Sequence, residues 1–276
     1  MSSLTTALSE FIKSSDAIFA EGRTRALALP ANTVQVWPGG ATFSTIQAAI
    51  DSITQASPQV QYQVSVGPGT YNENVTMKDY VYVIGAGQTA TFITAPPSQN
   101  FAYGVVNSAS GCGISEVTLN ATGGGWGACP AGVKINGSGK FHISGVTINS
   151  GGPGDVGNNT RGITNNTGSY TGNLVLGSSI INLQGGDSCT GVGVDLFGYP
   201  GVPNPPVLFI DVSSIQVTSN AQTFGVATSG GATVTLDDSK VIASNFALYN
   251  SDGISLITAN QCTIDGPVSS GVVVIN

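Results

Sequence analysis

The chain has 276 residues, of which 41% are hydrophobic and only 8% are charged, and its formal net charge at pH 7 is −7. An average soluble domain has about 25% charged residues, so this chain must present mainly hydroxyl and amide groups to solvent. The apolar content is too high for a disordered chain, and no apolar run approaches the roughly 20 residues of a membrane-spanning helix. The eight Lys and Arg residues are scattered along the sequence, which argues against a nucleic-acid partner.

The first predicted element is an amphipathic helix within residues 1–22. Its apolar residues fall mostly on one helical face, and Gly22 stands where the helix would end. The segment lacks the basic start and uninterrupted apolar core of a signal peptide, so localisation is left open. We expect residues 1–40 to cap the first turn of a domain formed by residues 41–276, because an open sheet end invites edge-to-edge aggregation. The apolar residues are Leu4, Leu8, Phe11, Ile12, Ile18 and Phe19.

The second predicted element is a short helix in "ATFSTIQAAIDSI", residues 41–53. Its apolar residues Phe43, Ile46, Ile50 and Ile53 repeat every three to four positions. From residue 62 the period changes to two, with "GPG" and "GAG" interrupting the alternation, which predicts strands separated by turns.

The remainder of the chain is a loose internal repeat. Each copy has a short apolar strand, one or two small or polar residues and a second apolar pair. Steps of roughly 22 to 35 residues without intervening helices indicate a solenoid of parallel strands. The copies are "GISEVTLNA", "FHISGVTINS", "VLGSSIINLQ", "FIDVSSIQVTS", "VTLDDSKVIAS" and "LITANQCTIDG", aligned on Val117, Val146, Ile181, Ile215 and Cys262, with an extra copy near Lys240.

A coil of parallel strands also accounts for the composition. Inward-facing side chains stack on like side chains of neighbouring turns, which favours Val, Ile, Ser, Thr and Asn, while the corners require Gly and Asn. The sequence therefore predicts an all-β fold, a parallel β-helix with an N-terminal capping helix.

The segments "FSTIQAAIDSI", "YQVSVGPGTYNENV" and "YVYVIGAG", within residues 41–95, resemble the opening of pectin methylesterases. More generally they resemble the right-handed parallel β-helix proteins of the pectin-lyase-like superfamily. This resemblance implies an extracellular, carbohydrate-directed protein. It also implies a site with two aspartates on successive turns, a glutamine that stabilises the oxyanion and an arginine that orients the nucleophile.

The family's motifs are matched only in part. "VDLFG" places Asp195 in the nucleophile's position, whereas "NLQGGDSCTG" offers Gln184 and Asp187 at a spacing too short for successive turns, and no arginine follows Arg161. An esterase site would therefore consist of Asp195, Asp187, Gln184 and Arg161. In the alternative, Asp195 caps a turn in a Pro/Gly-rich loop.

Two functional classes remain open. In the first, the protein is an enzyme, a carboxylic-ester hydrolase or another polysaccharide-acting enzyme, with a groove on the long face of the coil. In the second, it is a non-catalytic glycan-binding or structural β-helix, such as a tailspike-like or coat component, which the shortage of titratable groups favours. In either class the partner is a carbohydrate or a small polyhydroxylated ligand, and the oligomeric state stays open. The residues expected to contact the ligand are Asp155, Tyr170, Phe197 and Tyr199.

The cysteines and the single histidine predict no metal or cofactor. Cys112 and Cys129 bracket a Gly-rich loop that a disulfide would hold, and the alternative is that Cys112, Cys129, Cys189 and Cys262 are all buried thiols. No pair has the spacing of metal ligands, and His142 is more simply explained by local hydrogen bonds than as a catalytic base.

Overall fold

In the computed structural model of the chain, parallel β-strands are the main secondary structure, as the sequence predicts. Every strand pair within the described residues is parallel. The predicted N-terminal helix lies outside these residues, so the capping role of residues 1–40 stays a prediction. The structure describes residues 32–39, 42–95, 104–121, 131–151, 160–165, 170–184, 190–198, 205–218 and 221–275.

The described residues form one helix, α1 (Ile46–Ser52), and twenty-three strands. The helix confirms the prediction of a short helical segment before the first alternating strands. No helix in the described ranges is long and apolar enough to cross a membrane. The strands are β1 (Thr33–Val36), β2 (Tyr62–Val66), β3 (Gly69–Asn72), β4 (Val75–Thr76), β5 (Val81–Ile84), β6 (Thr91–Thr94), β7 (Val106–Asn107), β8 (Cys112–Ala121), β9 (Ala131–Lys134), β10 (Lys140–Gly151), β11 (Thr160–Thr164), β12 (Asn173–Gly177), β13 (Ile180–Gln184), β14 (Gly191–Phe197), β15 (Val207–Asp211), β16 (Ser214–Thr218), β17 (Thr223–Ser229), β18 (Thr233–Asp237), β19 (Lys240–Ala243), β20 (Phe246–Asn250), β21 (Leu256–Asn260), β22 (Thr263–Asp265) and β23 (Val272–Ile275).

The strands belong to two sheets that enclose a shared apolar core. The larger sheet has sixteen strands, and the smaller has seven in the order β20-β17-β14-β11-β9-β7-β4. A central coil such as β12, β13 and β14 contributes two strands to the sixteen-stranded sheet and one to the seven-stranded sheet. In-register stacking places like residues above one another, as in the fully buried series Leu119, Ile148, Ile181, Ile215 and Val241.

Each of the six repeat segments turns a corner at a residue in the left-handed backbone region. The φ angles at these corners lie between 43° and 60°, a range that residues other than glycine rarely adopt. Only one corner is glycine, so the stacking of neighbouring coils maintains the other five in this unfavourable conformation. The corner residues are Glu116, Gly145, Ser178, Val212, Asp238 and Gln261.

The corners correct the alignment of the repeats. Val117, Val146 and Cys262 each follow a corner residue directly, whereas Ile181 and Ile215 lie two positions farther along their coils. The alignment on apolar residues was wrong for these two coils because serine, not an apolar residue, follows their corners.

The serines that follow the corners form a hydrogen-bonded ladder across the coils. The Val146 N–H donates to Ser179 Oγ at 3.2 Å, the Ser179 N–H to Ser213 Oγ at 3.2 Å, and the Ser213 N–H to Ser239 Oγ at 3.1 Å. Each serine hydroxyl in turn donates to the carbonyl oxygen two residues earlier in its own chain. The ladder satisfies buried polar groups that would otherwise destabilise the corner.

Charged side chains of the following coil hold both ends of helix α1. The Glu73 carboxylate accepts hydrogen bonds from the backbone N–H groups of Ile46 and Gln47 at 2.8 and 2.9 Å. At the other end, Lys78 Nζ donates to the carbonyl oxygens of Ile50 and Ile53 at 3.2 and 2.6 Å and to that of the exposed Asp51 at 3.4 Å. A negative group at the N-terminus and a positive group at the C-terminus both complement the helix dipole.

We expect Lys78→Met to lower the free energy of unfolding by about 1–2 kcal/mol, because it removes charge-assisted hydrogen bonds to the last helical carbonyls. Lys240→Met is the matched control, since it removes the same charge from an exposed position on β19. Urea unfolding followed by circular dichroism measures both. Equal effects of the two substitutions would show that Lys78 does not stabilise the helix.

Candidate functional site

The outer face of the seven-stranded sheet is built by a four-residue pattern that recurs on five consecutive coils. In each copy the second residue is small and the third is a buried aliphatic residue of the core, namely Val133, Ile163, Val194, Val226 and Leu248. The copies are Ala131-Gly-Val-Lys134, Arg161-Gly-Ile-Thr164, Val192-Gly-Val-Asp195, Phe224-Gly-Val-Ala227 and Phe246-Ala-Leu-Tyr249.

The small residue is required because it points inward against the opposite sheet. A Cβ on Gly162 would lie 2.5 Å from Ile181 Cγ2 and 2.4 Å from the Gly193 carbonyl oxygen. A Cβ on Gly193 would lie 2.4 Å from Ile215 Cγ2. With the second and third residues directed inward, the first and fourth residues of each copy face outward.

The strand register arranges the outward residues in two rows along the solenoid axis. We call the surface formed by these two rows the seven-stranded face. One row contains Arg161, Val192, Phe224 and Phe246, and the other contains Lys134, Thr164, Asp195, Ala227 and Tyr249.

Arg161 and Asp195 form an ion pair on the seven-stranded face. Arg161 Nε donates to Asp195 Oδ2 at 2.6 Å, and the side chains are 11% and 5% exposed. Burial raises the pKa of the Asp195 carboxyl, and the adjacent guanidinium opposes that rise. Two of the four predicted esterase residues are therefore in direct contact, and Asp195 lies within strand β14 rather than in a loop.

The neighbours of Asp195 in its row carry no carboxylate. Thr164 lies beside it on the preceding coil and Ala227 on the following coil. Lys134 follows Thr164 in the same row, and burial lowers the pKa of its ammonium group. Within the described residues, no group of three or more His, Cys, Asp or Glu side chains could hold a metal ion.

Three aromatic side chains lie at the end of the seven-stranded face. The Phe224 and Phe246 rings are nearly parallel, with an interplanar angle of 6° and centroids 5.9 Å apart. Tyr249 packs at a tilt against both, with centroid distances of 5.0 and 4.9 Å. All three are partly exposed, so they form a continuous aromatic surface, which we call the aromatic platform.

The other predicted site residues within the described ranges are Gln184, Tyr170 and Phe197. Gln184 is exposed on β13 of the sixteen-stranded sheet, whereas Asp195 is on β14 of the seven-stranded sheet. Tyr170 is only 2% exposed and packs with the core residues, and its hydroxyl donates to the Gly139 carbonyl oxygen at 3.1 Å. Phe197 is partly exposed at the end of β14, two residues beyond Asp195. Asp155, Asp187 and Tyr199 lie outside the described residues.

The two described cysteines are free. Cys112 is buried, and its thiol donates to the Ala109 carbonyl oxygen at 3.2 Å, while Cys262 is partly buried. Burial raises the pKa of the Cys112 thiol to about 12. Cys112 is therefore a buried free thiol, in line with the alternative interpretation at this position, while Cys129 and Cys189 lie outside the described residues.

The six repeat segments identified in the sequence follow the corners of the sixteen-stranded sheet. The outward residues Lys134, Thr164, Phe224, Phe246 and Tyr249 lie between these segments, so the repeat pattern did not identify them. A sequence signal for the face was nevertheless present, because each copy of the four-residue pattern places glycine or alanine before a buried aliphatic residue.

We expect Gly193→Ala to lower the free energy of unfolding by about 1–3 kcal/mol, because the new methyl group overlaps Ile215 and the backbone of the next coil. We expect the substitution also to shift Asp195, which lies two residues along the same strand. Ala227→Gly is a control on the outward side of the same sheet, where we expect a smaller loss. Guanidinium unfolding compares them, and a neutral Gly193→Ala would contradict the close approach.

Asp195 predicts a characteristic pH dependence of stability. A carboxyl whose pKa is raised by folding contributes stability that is complete below the ordinary aspartate value of about 3.9 and is lost as pH rises through the folded pKa. We therefore expect the free energy of unfolding of the wild type, relative to that of Asp195→Asn, to fall as pH rises from about 3.9 through the folded pKa of Asp195. Urea unfolding at several pH values measures this difference.

Asp252 supplies the opposite control. Its slight burial raises the pKa, but the hydrogen bonds donated by the backbone N–H groups of Ser255, Gly230 and Ile254 outweigh burial and lower it. Its contribution is present above the ordinary aspartate pKa and is lost as pH falls, so Asp252→Asn should give a difference of opposite sign. Parallel pH profiles for wild type and Asp195→Asn would contradict the Asp195 prediction.

Comparison with solved structures identifies the architecture. Neither a protein-family model nor a curated protein sequence matches the chain. Among solved structures, a pectin methylesterase from carrot matches with a TM-score of 0.58 and 15% identity over 90% of this chain and 88% of the other. A pectin methylesterase from Aspergillus niger matches at 0.56 and 17% over 88% of each chain, and pectin methylesterase PemA from Erwinia chrysanthemi at 0.50 and 12% over 90% and 94%. The chain therefore has the right-handed parallel β-helix fold of pectin methylesterases, as its sequence predicts.

Proposed function

We propose that the protein binds a carbohydrate on its seven-stranded face, with the Arg161–Asp195 ion pair at the centre of the site. The observation that carries this proposal is the pair itself, a nearly buried arginine and aspartate joined at 2.6 Å on an outward-facing surface. Burying charged groups is costly unless they form hydrogen bonds. A ligand that adds hydrogen bonds to this nearly buried, outward-facing pair would offset part of that cost.

The pair matches the hydrogen-bonding needs of a polyhydroxylated ligand. A guanidinium has five N–H donors and a carboxylate only accepts, so the pair offers both donors and acceptors to sugar hydroxyls. The bond from Nε to Oδ2 occupies one donor of Arg161 and one oxygen of Asp195. Hydrogen bonds to charged groups are stronger than those between neutral groups, which favours recognition at this position.

The neighbours of Asp195 favour binding over hydrolysis by two carboxylates. Glycoside hydrolysis and the two-aspartate ester mechanism both require a second acid near the first. The adjacent positions on the preceding and following coils are Thr164 and Ala227. A binding site needs no such second acid.

Ester hydrolysis is the second candidate function. Burial raises the pKa of Asp195, and Arg161, which contacts one carboxylate oxygen, partly offsets that rise in favour of the ionised form that a nucleophile requires. In this scheme Asp195 is the nucleophile, Arg161 orients it, and Asp187 is the proposed second acid. Asp155, Phe197 and Tyr199 remain proposed ligand contacts.

Two assays on the same proteins test the proposal. Isothermal titration calorimetry measures binding of highly methylated pectin, and methanol release measures its hydrolysis. We expect wild type to bind and Asp195→Ala to lose at least about tenfold in affinity, because the substitution removes the acceptor and leaves Arg161 unpaired. Asp265→Ala, an exposed aspartate on β22 of the other sheet, is the matched control.

The outcomes separate the two candidates. Binding that depends on Asp195 without methanol release supports a binding protein. Methanol release that disappears in Asp195→Ala but persists in Asp265→Ala supports the esterase. Absence of both binding and release in wild type, or equal behaviour of the two variants, would overturn a pectin-directed role for the seven-stranded face.

A further inference from the structure

We propose that the aromatic platform of Phe224, Phe246 and Tyr249 stacks against a sugar ring, and that the ligand is an oligosaccharide lying along the solenoid axis. This inference rests on the proposed carbohydrate site and specifies the length and direction of its ligand. It is argued from the register of the two rows, the ring geometry and the exposure of the three side chains.

The register places the platform beside the ion pair on one continuous surface. Tyr249 is in the row of Asp195, with Ala227 between them, and Phe224 is in the row of Arg161, with Val192 between them. Neighbouring parallel strands are about 4.8 Å apart, so within each row two strand spacings, about 10 Å, separate the ion-pair residue from the first platform residue.

The residues between the two features leave the path along the face open. Ala227 has a single methyl group, and it is partly exposed between Asp195 and Tyr249. A ligand that contacts both the ion pair and the platform must therefore extend across Ala227. One pyranose ring is too short for this distance, whereas consecutive rings of an oligosaccharide cover it.

The geometry of the platform suits the apolar face of a sugar. The axial C–H groups of a pyranose pack on flat aromatic rings, and the hydroxyls at its rim form hydrogen bonds. Phe224 and Phe246 are nearly parallel at 6°, so neighbouring coils present rings of common orientation. Tyr249 packs against both and adds a hydroxyl at the side nearer the row of Asp195.

A purely structural role for the three rings makes a different prediction. Aromatic side chains on neighbouring strands also stabilise sheets by packing against each other. In that case, removing a ring would change stability without changing the dependence of binding on ligand length. The test must therefore measure affinity against ligand length and use substitutions that preserve apolar volume.

The experiment compares wild type with Phe246→Leu and Tyr249→Leu. Leucine keeps an apolar side chain at each position but removes the flat ring. Phe209→Leu is the matched control, because Phe209 is a partly exposed phenylalanine on β15 of the other sheet. Calorimetric titrations use methyl-esterified galacturonate monomer, trimer and hexamer as probes, and thermal unfolding confirms that each variant is folded.

We expect wild type to bind the hexamer at least about tenfold more tightly than the monomer, and both platform variants to lose about tenfold in hexamer affinity. Monomer affinity should change little, and Phe209→Leu should behave as wild type. Equal affinity of wild type for monomer and hexamer, or unchanged hexamer binding by both platform variants, would overturn the platform inference alone. Failure of wild type to bind any probe would instead overturn the pectin-directed site and this inference with it.

Discussion

In-register stacking of parallel strands is the constraint on which the rest of this structure depends. Each residue lies above its counterpart on the next coil at the spacing of about 4.8 Å between neighbouring strands. The need for a small residue at one position is therefore repeated on successive coils, as at Gly132, Gly162, Gly193 and Gly225. These glycines allow the seven-stranded sheet to approach the opposite sheet so closely that a Cβ would overlap its side chains.

The same constraint determines which residues meet on the seven-stranded face. Arg161 is in register with Val192, yet its side chain reaches Asp195 three residues farther along the next coil. The small residue and the aliphatic residue that follows it both point inward, which leaves the first and fourth positions of the pattern on one outer surface. An arginine and an aspartate from strands of different coils thus form a nearly buried ion pair.

The face changes character along the solenoid axis. Lys134, Arg161 and Asp195 occupy its earlier coils, and Phe224, Phe246 and Tyr249 occupy its later coils. Charged groups supply directional hydrogen bonds, whereas aromatic rings supply apolar contact area with few rotatable bonds. The two ends of the face therefore differ in chemistry, which distinguishes it from the polar ladder of Asn120, Asn149 and Asn182 on the other sheet.

The sequence by itself determined the all-β class, the parallel coil, the helix near residue 46 and the six corner segments. These features depend on local patterns, namely apolar periodicity, turn residues and repeat length, which are readable along the chain. It also identified Arg161 and Asp195 as candidates, through a short motif and the scarcity of arginine. Only the tertiary structure decided that Arg161 contacts Asp195, that Gln184 lies on another sheet, that Tyr170 is buried and that three aromatic residues form a platform. Those relations depend on the register between coils, and register is set by the packing of residues roughly 22 to 35 positions apart, which periodicity within a single strand does not specify.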